Sequence, residues 1–321
     1  MEKEFRVFVY PDGDASWYHH MPSRLITGNY TSEVYFFKNI RESTQFITTD
    51  PNEAHLFFIP ISCYDISPKI STCDDMTRTL DEYVHSIIVE YPYWNRTLGA
   101  DHFFMTCHDL CLRASEGVQT LVKNSIRVMC SSSYDDDEDI PHKDVALPPV
   151  VHPFTRPADR NTDLKNRTQL FMWAEVGPLN DWEGDEVQYD PPDHASLSYQ
   201  MEFSTARFCV CRGSSQANRI AIANSIHYGC VPVIFEGFYD LPFVGTLDWR
   251  MFSLLFEHFE IWELPDIIGG ISVVSDAEFK AMHENILKIQ KHFEWNSPPI
   301  KHDAFHMVMF ELWLRHHPIK Y

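Results

Sequence analysis

From His55 to Ile61 the chain reads His-Leu-Phe-Phe-Ile-Pro-Ile, an apolar run without the alternation of a half-exposed strand. Such a run suits a strand covered on both faces, as in a parallel sheet, whose strands must be joined by crossovers. The flanking sequence supplies them. Residues 5–10 alternate and stop at Pro11-Asp12-Gly13, a strand closed by a turn. Residues 31–39 predict a short helix, and Asp50-Pro51-Asn52-Glu53 resembles a capping box before Ala54. Residues 78–90 carry apolar side chains at 80, 83, 84, 87 and 88, a helical stripe that ends at Tyr91-Pro92. Residues 102–106 and 125–129 predict two more strands. Strand, helix and strand in alternation define a doubly wound α/β domain.

A second alternating unit follows. Residues 131–165, rich in Pro and Asp, read as a linker. Strands are expected at 170–174, 208–211 and 231–235, and a helix at 220–227. A strongly amphipathic helix is expected at 276–293, and a last, aromatic-rich helix at 303–316. The expected organisation is two Rossmann-like domains facing across a cleft, residues 1–150 and 151–298. Residues 299–321 form a C-terminal helix packing back on both.

The 321 residues carry 26 Lys and Arg against 46 Asp and Glu, a formal charge of −20. That charge repels phosphate backbones and excludes nucleic acid as a partner, while a local basic pocket can still hold a nucleotide. The run Asp135 to Asp139 reads as a solvated loop. The eight cysteines form no CxxC pair and no zinc spacing. They read as buried thiols with one or two disulfides, Cys63 with Cys73 being the first pair to test. Sequons at Asn29, Asn95 and Asn166 give mild support for a secretory compartment. No run of about 18 apolar residues and no signal peptide before Phe5 is present, so the expectation is a soluble chain without its membrane anchor.

Four stretches carry a family resemblance. The first is Asp50-Pro51-Asn52-Glu53-Ala54-His55-Leu56-Phe57-Phe58-Ile59-Pro60. The second runs from Tyr93-Trp94-Asn95-Arg96 through Gly99-Ala100-Asp101-His102-Phe103 to Cys107-His108-Asp109. The third is Ser225-Ile226-His227-Tyr228-Gly229-Cys230-Val231-Pro232-Val233-Ile234 with Asp240-Leu241-Pro242-Phe243. The fourth is Trp295-Asn296-Ser297-Pro298-Pro299 with Asp303-Ala304-Phe305-His306-Met307. In this order they resemble the exostosin-like glycosyltransferases of plants, glycosyltransferase family 47. The resemblance implies a GT-B fold and a type II membrane enzyme of the Golgi lumen. It implies inverting transfer from a nucleotide sugar, UDP-linked by preference, to a cell-wall polysaccharide or a glycoprotein glycan. It implies no metal or other cofactor besides the donor, and complexes with related glycosyltransferases as partners.

Inverting transfer needs a base for the acceptor hydroxyl and positive groups for the departing diphosphate. Asp109 is the first candidate base, with His108 as second choice or orienting partner, because both follow a strand whose carboxyl end faces the cleft. Glu33 is a weaker candidate on the acceptor side. Asp101 and His102, nearer the strand's start, read as structural. Where strand 208–211 runs into a helix, Arg212, Gly213, Ser214 and Ser215 suit a phosphate site. Asn218, Arg219, Asn224, Gly229 and Asp240 complete the donor candidates. Asp303 and His306, three apart on one helix face, read as a packing hydrogen bond rather than a metal pair.

Two departures stand against this pattern. Relatives carry an Arg and, three residues later, an acid where this chain has Ala221 and Asn224, with Arg219 as a partial replacement for the cation. After Trp173-Ala174 relatives continue into a basic helix, whereas this chain reads Glu175-Val176-Gly177-Pro178-Leu179-Asn180-Asp181. The alternative reading is therefore a catalytically silent relative that binds glycans or assembles with an active paralogue.

Overall fold

In the computed structural model, the described residues are 1–11, 31–62, 70, 72–107, 109–130, 143–150, 164–174, 197–211, 215–235, 241–256 and 264–317. The first half contains β1 (Val7–Val9), α1 (Thr31–Glu42), β2 (Ile47–Thr48), β3 (Leu56–Phe58), α2 (Cys73–Glu90), β4 (His102–Thr106), α3 (Asp109–Glu116), α4 (Gln119–Asn124), β5 (Ile126–Met129) and β6 (Val145–Ala146). The second contains β7 (Gln169–Trp173), α5 (Leu197–Thr205), β8 (Ala206–Cys211), α6 (Ser215–His227), β9 (Val231–Phe235), β10 (Leu254–Phe256), α7 (Leu264–Val273) and α8 (Asp276–Ile289). The chain ends in α9 (Ala304–His316). Among the described residues the strands form two sheets, ordered β2-β1-β3-β4-β5-β6 and β10-β9-β8-β7, with every pairing parallel. This is the expected pair of Rossmann-like units.

The apolar run explains the layering of the first sheet. Phe57 joins Phe8 and Phe104 on one face, against Met76, Leu80 and Val84 of α2. Phe58 joins Val7, Phe103 and Met105 on the other, against Phe36 of α1 and Phe305 of α9. Consecutive phenylalanines thus feed opposite cores, as the two-residue period of a strand requires. The last helix in sequence is therefore part of the first sheet's cover: Phe305 sits 5.7 Å from Phe36 and 6.0 Å from Phe46, centroid to centroid.

Local sequence sets the helix ends. Thr72 caps α2 by accepting from the Asp75 amide, so this helix begins before the apolar stripe at 80–88. Ser275 and Glu278 make a reciprocal capping box on α8. The similar pattern at Asp50 starts no helix. Asp50 Oδ1 accepts from the Asn52 amide at 2.9 Å in a turn, and the chain enters β3 directly. Asp303 caps α9, accepting from the backbone amide of His306 at 3.2 Å and pairing with its Nδ1 at 3.0 Å, so this pair is a packing contact. The 131–165 stretch is not all linker: β6 lies within it and pairs with β5.

Asp101 and His102 are structural. Tyr10 Oη and His102 Nε2 lie 2.7 Å apart, and His102 Nδ1 lies 2.7 Å from Asp101 Oδ1. Thr97 Oγ1 and Arg96 Nε donate to the same carboxylate. Burial alone would raise the Asp101 pKa, but hydrogen bonds from His102 and Thr97 and the Arg96 charge hold it below the usual value. Burial lowers His102 and raises Tyr10. Tyr10, Asp101 and His102 are buried while Arg96 reaches solvent, and the two shifts favour an ionised Asp101 beside a neutral His102.

Hydrogen bonds among the described residues join the halves. Beyond β6, the carbonyl of Pro148 accepts from Ser32 Oγ at 2.9 Å and from Trp295 Nε1 at 2.9 Å. Asn39 Nδ2 donates to the carbonyl of Asn296 at 2.8 Å. On α9, Glu311 accepts from Thr246 of the second half and pairs with Arg315 at 2.5 Å. Arg315 in turn donates to the carbonyl of Asp144 at 2.7 Å.

Candidate active site

The carboxyl edge of the first sheet is turned toward α6. Pro149 and Val150, just beyond β6, line a pocket of about 170 Å³ with Ala223, Ile226 and His227 of α6 and residues 293–296 of the returning segment. β4 lies two strands from β6, about 10 Å at ordinary strand spacing. Asp109 is the first residue of α3 at the carboxyl end of β4. Its backbone is thus on the cleft side.

The segment carrying Asp109 is pinned covalently on both sides. Cys107 forms a disulfide with Cys130, which follows β5. Cys111, two residues after Asp109, is also disulfide-bonded. Cys73 is a free thiol, so the Cys63–Cys73 bridge expected from sequence is not made. A further bridge, Cys209–Cys230, ties β8 to the residue before β9, so the chain carries more than the one or two disulfides expected from sequence. Among the described residues the other free thiol, Cys211, is buried beside it, and burial pushes its pKa up to about 12.

Glu33 stands in the first turn of α1, 1% exposed, where Ser62 beyond β3 donates to its Oε1 at 3.3 Å. β3 neighbours β4, so Glu33 and Asp109 belong to adjacent strand ends.

On the other side of the cleft, α6 turns 100° per residue. Ala221 and Ser225 face β8: Ser225 Oγ donates to the Ala221 carbonyl at 2.7 Å and lies 3.5 Å from Cys211 Sγ. Ala223 and Ile226 face the pocket on the opposite side, and helical geometry puts Arg219 on that same side, one turn earlier. Arg219 is buried. It is therefore a cation on the cleft-facing side of α6, but not on the face of position 221. Asn224 is buried one turn along from Ala221.

Gly229 is accounted for by the end of α6. Its amide donates to the Ile226 carbonyl at 3.2 Å and the Cys230 amide to the Ser225 carbonyl at 2.8 Å, the two bonds of a Schellman motif. Its φ of +72° and the 2.8 Å from its would-be Cβ to Arg167 Nη2 leave room only for glycine. Ser215 and Asn218 lie on α6. His108, Arg212, Gly213, Ser214, Asp240 and the 175–181 stretch lie outside the described residues.

Four polar side chains in the pocket are not singled out by sequence as site residues: His227, Gln290, Glu294 and Asn296. Gln290 Nε2 donates to the carbonyls of Ile226 and His227 at 3.0 Å each, closing the last turn of α6. His227 lies inside the third of the four quoted stretches and Glu294 abuts the fourth, and that adjacency is the signal that marks them. Among the described residues no three His, Cys, Asp or Glu side chains converge as metal ligands, and no helix is long and apolar enough to cross a membrane.

Two parallel sheets, each wrapped by helices and apposed across a pocket, define the GT-B class. The profile of the exostosin GT47 domain matches residues 1–271. The chain belongs to the exostosin GT47 family, whose members are glycosyltransferases using nucleotide-sugar donors. It is 29% identical over 345 residues to a probable glycosyltransferase of Arabidopsis thaliana, covering 100% of this chain and 64% of that protein. A second probable glycosyltransferase of Arabidopsis thaliana is 31% identical over 340 residues, covering 100% of this chain and 70% of its own length. A probable glucuronoxylan glucuronosyltransferase of the same plant is 25% identical over 297 residues, covering 82% and 65%. The chain thus spans about two thirds of the length of these curated relatives.

Proposed function

We propose that the protein is an inverting glycosyltransferase that moves a sugar from a UDP-linked donor to a cell-wall polysaccharide or glycoprotein glycan in the Golgi lumen. The observation that carries the reading is the position of Asp109. It opens a helix at the carboxyl end of β4, on the edge turned toward α6, between two disulfide-bonded cysteines. In this reading Asp109 takes the proton of the acceptor hydroxyl as that oxygen attacks the anomeric carbon. The bond from that carbon to the diphosphate breaks, and Arg219, Arg212 and the amides at the start of α6 receive the charge. Ser215, Asn218, Asn224 and Asp240 hold the rest of the donor, with Glu33 on the acceptor side. No metal is assigned a role.

The test is calorimetric titration with UDP, with and without Mn²⁺, followed by turnover of Asp109→Asn. Metal-independent binding, and a loss of about 10²–10⁴-fold in turnover with UDP affinity retained, is expected of a lost general base. Unchanged turnover would remove Asp109 from the role.

A specific observation favours a second reading, that of a silent partner for an active paralogue. Position 221 holds an alanine packed without exposure against β8, and 224 an uncharged amide. Absence of UDP binding by the folded chain, restored by Ala221→Arg with Asn224→Asp, would support this reading.

A further inference from the structure

We propose that Asn166 is an N-glycosylation site whose glycan covers the open edge of the second sheet. The sequon Asn166-Arg167-Thr168 lies at the turn that leads into β7. Its middle residue points inward. Arg167 is buried and donates to the carbonyls of Phe203, Ala206 and Tyr228 at 3.0, 2.6 and 2.5 Å. With Arg167 anchored, Asn166 and Thr168 on either side are both exposed. The two residues an oligosaccharyltransferase must read are thus presented to solvent in the finished fold, so a glycan added during synthesis needs no rearrangement.

The second observation concerns what lies beside it. β7 is the last strand in the order β10-β9-β8-β7, and among the described residues no strand pairs with its other side. Leu170 is 39% and Trp173 36% exposed on this strand. An open edge with apolar side chains is a template for pairing with another chain, and folded proteins normally block such edges. Asn166 stands three residues before β7 begins, so a branched, hydrated oligosaccharide there occupies the space a foreign strand would need. The third observation is the compartment. Disulfides at Cys107–Cys130 and Cys209–Cys230 belong to a chain that folds under oxidising conditions, where N-glycosylation takes place.

The chemistry is a transfer from a lipid-diphosphate-linked oligosaccharide. The Asn166 amide nitrogen attacks the anomeric carbon and an N–C bond forms. The C–O bond to the diphosphate breaks, the diphosphate stays on the lipid, and the amide gives up one proton.

The inference rests on the secretory passage proposed above, so the chain is expressed behind a secretion signal, which separates failure of the site from failure of the localisation. After enzymatic release of glycans in ¹⁸O water, the peptide containing residue 166 is expected with labelled Asp in place of Asn. Asn166→Gln and Thr168→Ala should each lose that one glycan, and Asn95→Gln, in the first half, should keep it. Light scattering should then show more self-association for both variants, and for wild-type protein stripped of glycan in its folded state, than for Asn95→Gln. Recovery of unmodified Asn166 overturns the site. Modification at Asn166 with equal self-association in all samples overturns the covering role.

Discussion

The indole nitrogen of Trp295 donates to the carbonyl of Pro148 at 2.9 Å, joining the segment by which the chain leaves the first sheet to the segment by which it returns. Ser32 of α1 donates to the same carbonyl, so one oxygen holds three parts of the molecule that are distant in sequence.

Trp295→Phe removes that donor and leaves a buried carbonyl with one partner fewer. The expected loss is about 1–3 kcal/mol of stability, from the hydrogen bond and the smaller ring together. Urea unfolding reads it as a lower midpoint with an unchanged slope. A slope that falls as well would show instead that the two halves had begun to unfold separately.

Gly229→Ala should be costly although it adds one carbon. A φ of +72° costs a side-chain-bearing residue about 1–2 kcal/mol, and the new Cβ would stand 2.8 Å from Arg167 Nη2 and 3.1 Å from His283 Cε1. The melting temperature should fall, while Gly245→Ala, with its nearest neighbour at 3.4 Å, should change little. Equal effects would remove the conformational argument.

Stability should fall in mild acid because of His55 and His316, whose rings meet at 5.1 Å. His55 Nδ1 accepts from the Arg6 amide at 3.1 Å, which requires that nitrogen to be unprotonated. Burial lowers both pKa values. Arg6 and Arg96 add to this at His55, and His55, His317 and Arg96 at His316, with Glu4 and Asp101 opposing respectively. Folded pKa values below the ordinary 6.5 mean that the unfolded chain binds more protons in acid. The stabilisation is whole above pH 6.5 and drains away as pH falls below it. Melting curves from pH 7.5 to 5 should show the decline, and His55→Gln should flatten it. Parallel curves for the two proteins would assign the decline to other groups.

Cys107→Ser with Cys130→Ser opens a loop of 23 residues, a change of about 3 kcal/mol in the usual range for such loops. Because the bridge ends two residues before Asp109, turnover should fall further than UDP affinity. A matched double variant at Cys209 and Cys230 should lower stability without that imbalance. Equal imbalance in both would mean that the first bridge holds nothing specific to the candidate base.

How much of this was legible in the sequence depended on how far each signal reached. Leu56, Phe57 and Phe58 announced a strand covered on both faces because burial on two sides leaves no polar alternation. Val145 and Ala146 did not announce β6, since two residues carry no period and their pairing with β5 is decided by neighbours. Asp50 to Glu53 matched a cap, but the same side-chain bond serves a turn, and only the path into β3 distinguishes them. At the site, Asp109 could be placed from the end of a predicted strand. The cleft-facing side of α6 could be worked out from helical period once Ser225 was seen to touch Cys211. The convergence of Gln290, Glu294 and His227 joins segments some 60 residues apart, and no local pattern carries it.

The cover that α9 gives the first sheet has a practical meaning for anyone dividing this protein. Phe305 fills a gap between Phe36 and Phe46, and Arg315 reaches the carbonyl of Asp144. A fragment ending near residue 150 would therefore be produced with a missing wall, sticky along α1. Supplying residues 304–316 as a separate peptide should complement it, and a fragment of the second half cut before residue 304 would in turn leave Thr246 without its Glu311 partner.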